Sequence, residues 1–173
     1  INLAKKAANI QIKELKKINK VFNKSFIKAI DLILNCKGKV IFAGVGKSGI
    51  IARKVSATFS SVGIPSFFCD PAQALHGDMG QIEKKDILII FSYSGNTSEL
   101  TNMLKYANRS RIKIIGVASK PESILLKASD IKLLLPKVRE SDITGMVPTS
   151  STSISLLLGD CLATTVISKR KFS

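Results

Sequence analysis

The chain has 173 residues, 45% of them hydrophobic and 23% charged, with no Trp and three Cys. That is length for one domain with a sizeable core, and it excludes a disordered, collagen-like or disulfide-stapled chain. The 27 basic residues outnumber the 12 acidic ones for a net charge of +15, but without an Arg-rich run or an aromatic-basic motif this favours a small anionic substrate over nucleic acid.

Residues 1–28 hold eight Lys and one Glu. Ala8, Ile12, Leu15, Phe22, Phe26, Ala29 and Ile33 keep three-to-four spacing. This predicts two helices, or one broken near Asn19–Asn23, with an apolar face laid on the domain or on a partner subunit. From residue 37 the pattern changes. Short apolar runs at Lys39–Ala43, Ile64–Cys69, Ile87–Ser92, Ile112–Ala118 and Ile131–Leu135 predict five strands. Helical spacing between them predicts Ser48–Ser61, stopping at Gly63, then Ser98–Asn108, Glu122–Ala128 and a closing helix Thr152–Ser168. That last helix would bury Ile154, Leu157, Leu158, Cys161, Leu162 and Thr165. The alternation gives βαβ units and a mostly parallel sheet with helices on both faces. The longest apolar run, Ile87–Phe91, is only strand-long, so no membrane span and no membrane partner is expected. Cys36, Cys69 and Cys161, without a CxxC pair, suggest buried thiols and a reducing, cytoplasmic compartment. Residues 169–173 read as the start of a linker.

In an open parallel sheet, ligands bind beyond the carboxyl ends of the strands. The first loop there, Gly44-Val45-Gly46-Lys47-Ser48-Gly49, matches GxGxxG, and Asp70 follows about 20 residues on, where a ribose-binding acid would sit. A P-loop is excluded, because its first glycine would have to be Ile41. The loop is therefore an anion site, a dinucleotide site or a plain tight turn with Lys47 solvated. The second loop, Ser92-Tyr93-Ser94-Gly95-Asn96-Thr97-Ser98-Glu99, puts four serine and threonine hydroxyls in its first seven residues. A cap needs one hydroxyl, Ser94 or the amide of Asn96 with Glu99 as capping-box acid, so the excess favours phosphate. The third region, Pro136 to Ser153, holds Glu140 and the run Pro148-Thr149-Ser150-Ser151-Thr152, which could cap a helix, bind sugar, or both. The only histidine lies in Ala74-Leu75-His76-Gly77-Asp78 and is structural, catalytic or weakly metal-binding.

Taken together, these loops resemble the sugar isomerase (SIS) domain, whose SxSGxTxE loop matches residues 92–99. Gly44–Gly49, Pro65-Ser66-Phe67-Phe68, His76-Gly77-Asp78-Met79-Gly80 and Pro148–Thr152 follow the order found in its D-arabinose-5-phosphate isomerase family. The resemblance runs from about residue 37 to 170. It implies a single SIS domain over residues 1–173, with residues 1–36 as N-terminal helices. Its fold would be a flavodoxin-like three-layer αβα sandwich around a five-stranded parallel sheet.

The family interconverts D-ribulose 5-phosphate and D-arabinose 5-phosphate through a cis-enediol, supplying a precursor of the lipopolysaccharide sugar Kdo. The resemblance assigns catalysis to Lys47, Glu99 and Glu140. Glu140 would be the proton shuttle, Lys47 the oxyanion partner and Glu99 a support for the sugar hydroxyls or for Lys47. It places Gly46, Ser48, Ser92, Ser94, Gly95, Thr97 and Ser151 around phosphate or sugar oxygens, with His76 as a further candidate. It implies no cofactor and no metal, a small phosphorylated sugar as partner, and a homodimer or homotetramer. Family members carry an active-site His in an HPGG segment and then a CBS pair beyond the last helix, which the 173 residues do not include. Gln73 also stands where the family tends to have Glu. The alternatives left open are a non-catalytic sugar-phosphate-binding module and a single-domain hexulose-6-phosphate isomerase.

Overall fold

Five apolar strands pair in parallel in the order β2–β1–β3–β4–β5: β1 Val40–Gly44, β2 Ser66–Cys69, β3 Ile87–Phe91, β4 Lys113–Ala118 and β5 Ile131–Leu134. The computed structural model describes residues 1–170, the Leu75 side chain excepted. Every residue of β1 and β3 is buried, as central strands covered on both faces must be. Successive side chains alternate between the two faces. Phe42, Ile89, Phe91, Ile115 and Val117 enter one core, shared with α2 (Lys24–Leu34), α3 (Gly46–Ser61) and α6 (Ser150–Arg170). Ile41, Leu88, Ile90 and Ile114 enter the other, under α4 (Leu100–Arg109) and α5 (Ile124–Ala128). The three-layer αβα arrangement follows, and with it the expected SIS-type fold. Winding runs outward from β1 to β2 and the opposite way from β3 to β5, so a crevice opens between the carboxyl ends of β1 and β3.

The expected break in the first segment is a 3-10 turn, Lys16–Val21, between α1 (Asn2–Leu15) and α2. Asn23 caps α2, its Oδ1 accepting from Ser25 N at 2.8 Å. Phe26, Ala29 and Ile33 are buried as predicted, but Ala8 and Ile12 are exposed. What α1 buries instead is Glu14. Two further differences concern α6. It is long and apolar enough by length and composition to cross a membrane, a property hidden in the sequence because hydroxyl residues interrupt its apolar runs. Ile154, Leu158, Leu162, Ala163 and Val166 are packed in the core, however, as in the central helix of a globular fold. Leu157, Cys161 and Thr165, expected on its apolar side, are only half-buried. Gly159 lets α6 approach α3 closely, for a Cβ there would collide with Val55. Lys169 and Arg170, expected in a linker, belong to the helix, and the rest of that expected linker, residues 171–173, lies outside the described residues. Cys69 is buried, with its thiol pushed up to about 11 by burial. Cys36 and Cys161 are half-buried, and burial raises them too.

Candidate active site

The crevice between β1 and β3 deepens into a cavity of about 400 Å³, within the size range of small-molecule sites. Its wall comes from three loops: Val45, Lys47, Ser48 and Ile51 from the start of α3, Tyr93 and Ser94 from the end of β3, and Glu140 with Pro148, Ser151, Thr152 and Ser155 around the start of α6. Two long helices, of 16 and 21 residues, thus present their first turns to one cavity. First-turn N–H groups lack intrahelical partners and carry the positive end of the helix dipole, so this wall suits an anion. The exposed Lys47 adds a full positive charge.

Glu140 is the acid in the wall. Its Oε2 accepts three hydrogen bonds, from Thr149 N at 2.8 Å, Thr149 Oγ1 at 2.9 Å and Ser151 N at 3.2 Å. The Ser151 hydroxyl also bears on the carboxyl. Burial pushes this carboxyl up, but the donors of Ser151 and Thr149 outweigh it and hold the group below the ordinary glutamate value. The side chain therefore closes the N-terminus of α6 through Oε2 and lines the cavity as an ionised carboxylate.

Tyr93 ties the second loop to the third. Its hydroxyl donates to Pro136 O at 3.2 Å and accepts from Val138 N at 2.8 Å. Burial raises its pKa, which keeps the hydroxyl protonated and able to donate.

The hydroxyl-rich loop is organised otherwise than as a simple cap. The residue before α4 is Glu99, which makes no side-chain cap bond. Asn96 Oδ1 instead accepts from Ile124 N at 3.0 Å, on α5. Ser92 Oγ pairs with Thr97 Oγ1 at 2.9 Å and accepts from Gly95 N at 3.1 Å. Gly95 holds φ +69, and a Cβ there would strike Ser123, so the turn requires glycine. Among the described residues the amides of Ser94, Thr97 and Ser98 have no protein acceptor and are available to an anion.

Of the predicted site residues, Lys47, Ser48, Ser94, Glu140 and Ser151 meet in the cavity wall. Gly46, Ser92, Gly95 and Thr97 shape the turns behind it, Gly46 with φ +58. Glu99 stands outside that wall, exposed, accepting from Ser98 Oγ at 2.8 Å. Its own backbone N–H and the Ser98 hydroxyl lower its pKa. His76 is also exposed, on the 3-10 turn Ala74–His76, away from the wall. Sequence reasoning missed Tyr93 as a strut and the Thr149 donors to Glu140, although Tyr93 lay inside the motif it singled out.

A family model described as SIS domain matches residues 33–165. The chain is 40% identical over 159 residues to arabinose 5-phosphate isomerase KdsD of Escherichia coli O157:H7, covering 92% of this chain and 48% of that protein. It is 36% identical over 173 residues to arabinose 5-phosphate isomerase GutQ of Salmonella typhi, covering 100% of this chain and 54% of that one. The chain thus spans about half the length of the curated relatives it matches. Among solved structures, c3406 of E. coli CFT073 in complex with arabinose 5-phosphate superposes with a TM-score of 0.96 at 35% identity, covering 100% of this chain and 92% of that one.

Proposed function

The chain belongs to the SIS domain family of sugar isomerases, and from that premise we propose that it interconverts D-ribulose 5-phosphate and D-arabinose 5-phosphate. The observation that carries the reading is Glu140: an ionised carboxylate anchored through Oε2, in the same wall as Lys47 and two helix N-termini. Similarity to a chain of nearly equal length that binds arabinose 5-phosphate supports the same substrate class.

In the proposed reaction the phosphate lies against the amides of Ser48 and Ser94 and the hydroxyls of Ser48, Ser94 and Ser151. Glu140 takes the proton from the carbon beside the carbonyl, leaving a cis-enediolate; the hydroxyl proton of that carbon passes to the former carbonyl oxygen through the cis-enediol, and Glu140 returns its own proton to the former carbonyl carbon. A carboxylate held below its ordinary pKa is ionised but weak as a base. The Lys47 ammonium offsets that weakness by stabilising the oxyanion that develops as the proton leaves. For Glu99 a supporting part toward the sugar hydroxyls or Lys47 is proposed. The proposed setting is the cytoplasm, in a homodimer or homotetramer feeding Kdo synthesis.

The test is proton and phosphorus NMR of the chain with D-arabinose 5-phosphate in deuterated water. Ketose formation, or deuterium uptake at the carbon beside the carbonyl, is expected. A shifted phosphate signal without either would make the chain a binding module, and turnover of a hexulose 6-phosphate alone would reassign the substrate.

A further inference from the structure

Immediately before Glu140 the chain continues past β5 as an extended strap. Leu135 N still donates to Ala118 O at 2.8 Å, as if β5 went on. Beyond it, residues 136 and 138 turn their backbone polar groups to one side, where the Tyr93 hydroxyl meets Pro136 O and Val138 N. Residues 137 and 139 turn theirs to the other, as alternation along extended chain requires. Among the described residues no strand meets that outer edge; side chains of α1 and of the 3-10 turn that follows it do. Arg139 N donates to Glu14 Oε2 at 3.0 Å across 125 residues of sequence, and Lys17 Nζ donates to Lys137 O at 3.4 Å. One turn earlier on α1, Gln11 Nε2 donates to Ser141 Oγ at 3.2 Å, while Gln11 Oε1 accepts from Ser153 Oγ at 3.1 Å, on α6. Glu14 is 6% exposed and is paired with Lys17. The only acid in the lysine-rich first 28 residues is therefore buried against the backbone N–H one residue before Glu140.

We propose that Glu14 is a positioning residue for Glu140: α1 takes the place of a sixth strand and fixes the strap in the register that delivers Glu140 to the cavity. The residues matched by the family model begin at 33, so this brace comes from outside them. The inference rests on Glu140 acting as the base. A shift of about 1 Å at a reacting group is enough to cost about 10²-fold in rate. Removing the acceptor also leaves the Arg139 N–H, in a half-buried place, without its partner.

The test compares Glu14→Ala with Glu14→Gln in the full chain. The Gln side chain keeps a carbonyl oxygen for Arg139 N and drops the charge. With D-arabinose 5-phosphate, Glu14→Ala is expected to lower kcat about 10- to 100-fold with KM changed less than threefold, and Glu14→Gln to recover at least a third of wild-type kcat. Without ligand, hydrogen exchange at residues 138–141 is expected to accelerate in Glu14→Ala, remain near wild type in Glu14→Gln, and stay unchanged in α4 and α5. A folded Glu14→Ala protein with wild-type kcat and exchange overturns the proposal, as does a Gln variant as impaired as the Ala one. Should the wild-type chain turn over no sugar phosphate, the isomerase reading fails on its own. The exchange pattern then still decides whether α1 holds the strap.

Discussion

Glu140→Gln separates the two jobs given to Glu140, closing a helix and moving a proton. The amide keeps an oxygen where Oε2 stands, so Thr149 N, Thr149 Oγ1 and Ser151 N retain an acceptor. What is lost in the fold is a negative charge at the N-terminus of α6, worth about 0.3–1 kcal/mol. For a domain of this size that is a fall in Tm of at most about 4 °C. What is lost in the reaction is the base, about 10²–10⁴ in rate, or about 3–5 kcal/mol of barrier. The assay follows ketose formation and deuterium uptake by NMR, with thermal unfolding and phosphate line shape recorded on the same sample. Turnover should collapse while fold and phosphate binding persist. Wild-type turnover in the Gln variant would refute the base. Loss of turnover together with a Tm lower by about 10 °C or more would show that Glu140 matters as a cap. Glu140→Ala could not separate these outcomes, since it strips three donors of their acceptor at once.

The same geometry leads to four other outcomes. Glu140 is held below the ordinary glutamate value of about 4.3, so the acid limb of kcat/KM should lie below that value; a limb centred above it would contradict the hydrogen bonding described. Glu14 is lowered as well, burial being outweighed by Lys17 and the Arg139 amide. Both carboxylates therefore stabilise the fold fully above the unfolded-state value, and that stability is lost as pH falls through the lower folded-state values, a loss measurable by thermal unfolding across the acid range. Asp86 is buried and accepts from Lys39 N at 2.7 Å and Glu83 N at 2.8 Å. Asp86→Ala should therefore cost about 2–6 kcal/mol in urea unfolding, at about 1–3 kcal/mol per orphaned N–H; a change under about 1 kcal/mol would mean that water replaces both bonds. Gly159→Ala forces a methyl into Val55, an overpacking penalty of about 1–3 kcal/mol reduced by about 1 kcal/mol of helix propensity; a rise in Tm would show that α3 and α6 separate freely.

What could be read from the sequence was what local pattern controls. Unbroken apolar runs such as Ile87–Phe91 marked strands buried on both faces, and the change from helical to strand spacing after residue 37 placed the sheet. Helix starts were less legible: α3 begins at Gly46 and α6 at Ser150, each two residues before the predicted start, because glycine and hydroxyl residues at a first turn look like loop. The loops that form the cavity were legible by composition, but the partners of Glu140 were not. They lie 9 and 11 residues away, at a helix start that the sequence placed two residues too late. The least legible element was α1. Its apolar residues Ala8 and Ile12 suggested the buried face, whereas its hydrogen bonds to the strap are made by Gln11 and Glu14, joined by Lys17 from the 3-10 turn beyond it. Helical periodicity finds faces that dry out against hydrocarbon. It has no signal for a helix that docks by pairing an exposed sheet edge.

The cavity wall runs in sequence from Val45 to Ser155, and this bears on how the molecule comes to be made. A chain growing from its N-terminus can pair β1, β2 and β3 well before it holds a binding site, since the last wall residues arrive with α6. Ligand recognition is therefore among the final events of folding, and any ligand favours only the finished state. At a concentration of 100 Kd a sugar phosphate would add about 2.7 kcal/mol to stability, all of it withheld from intermediates in which α6 has not docked.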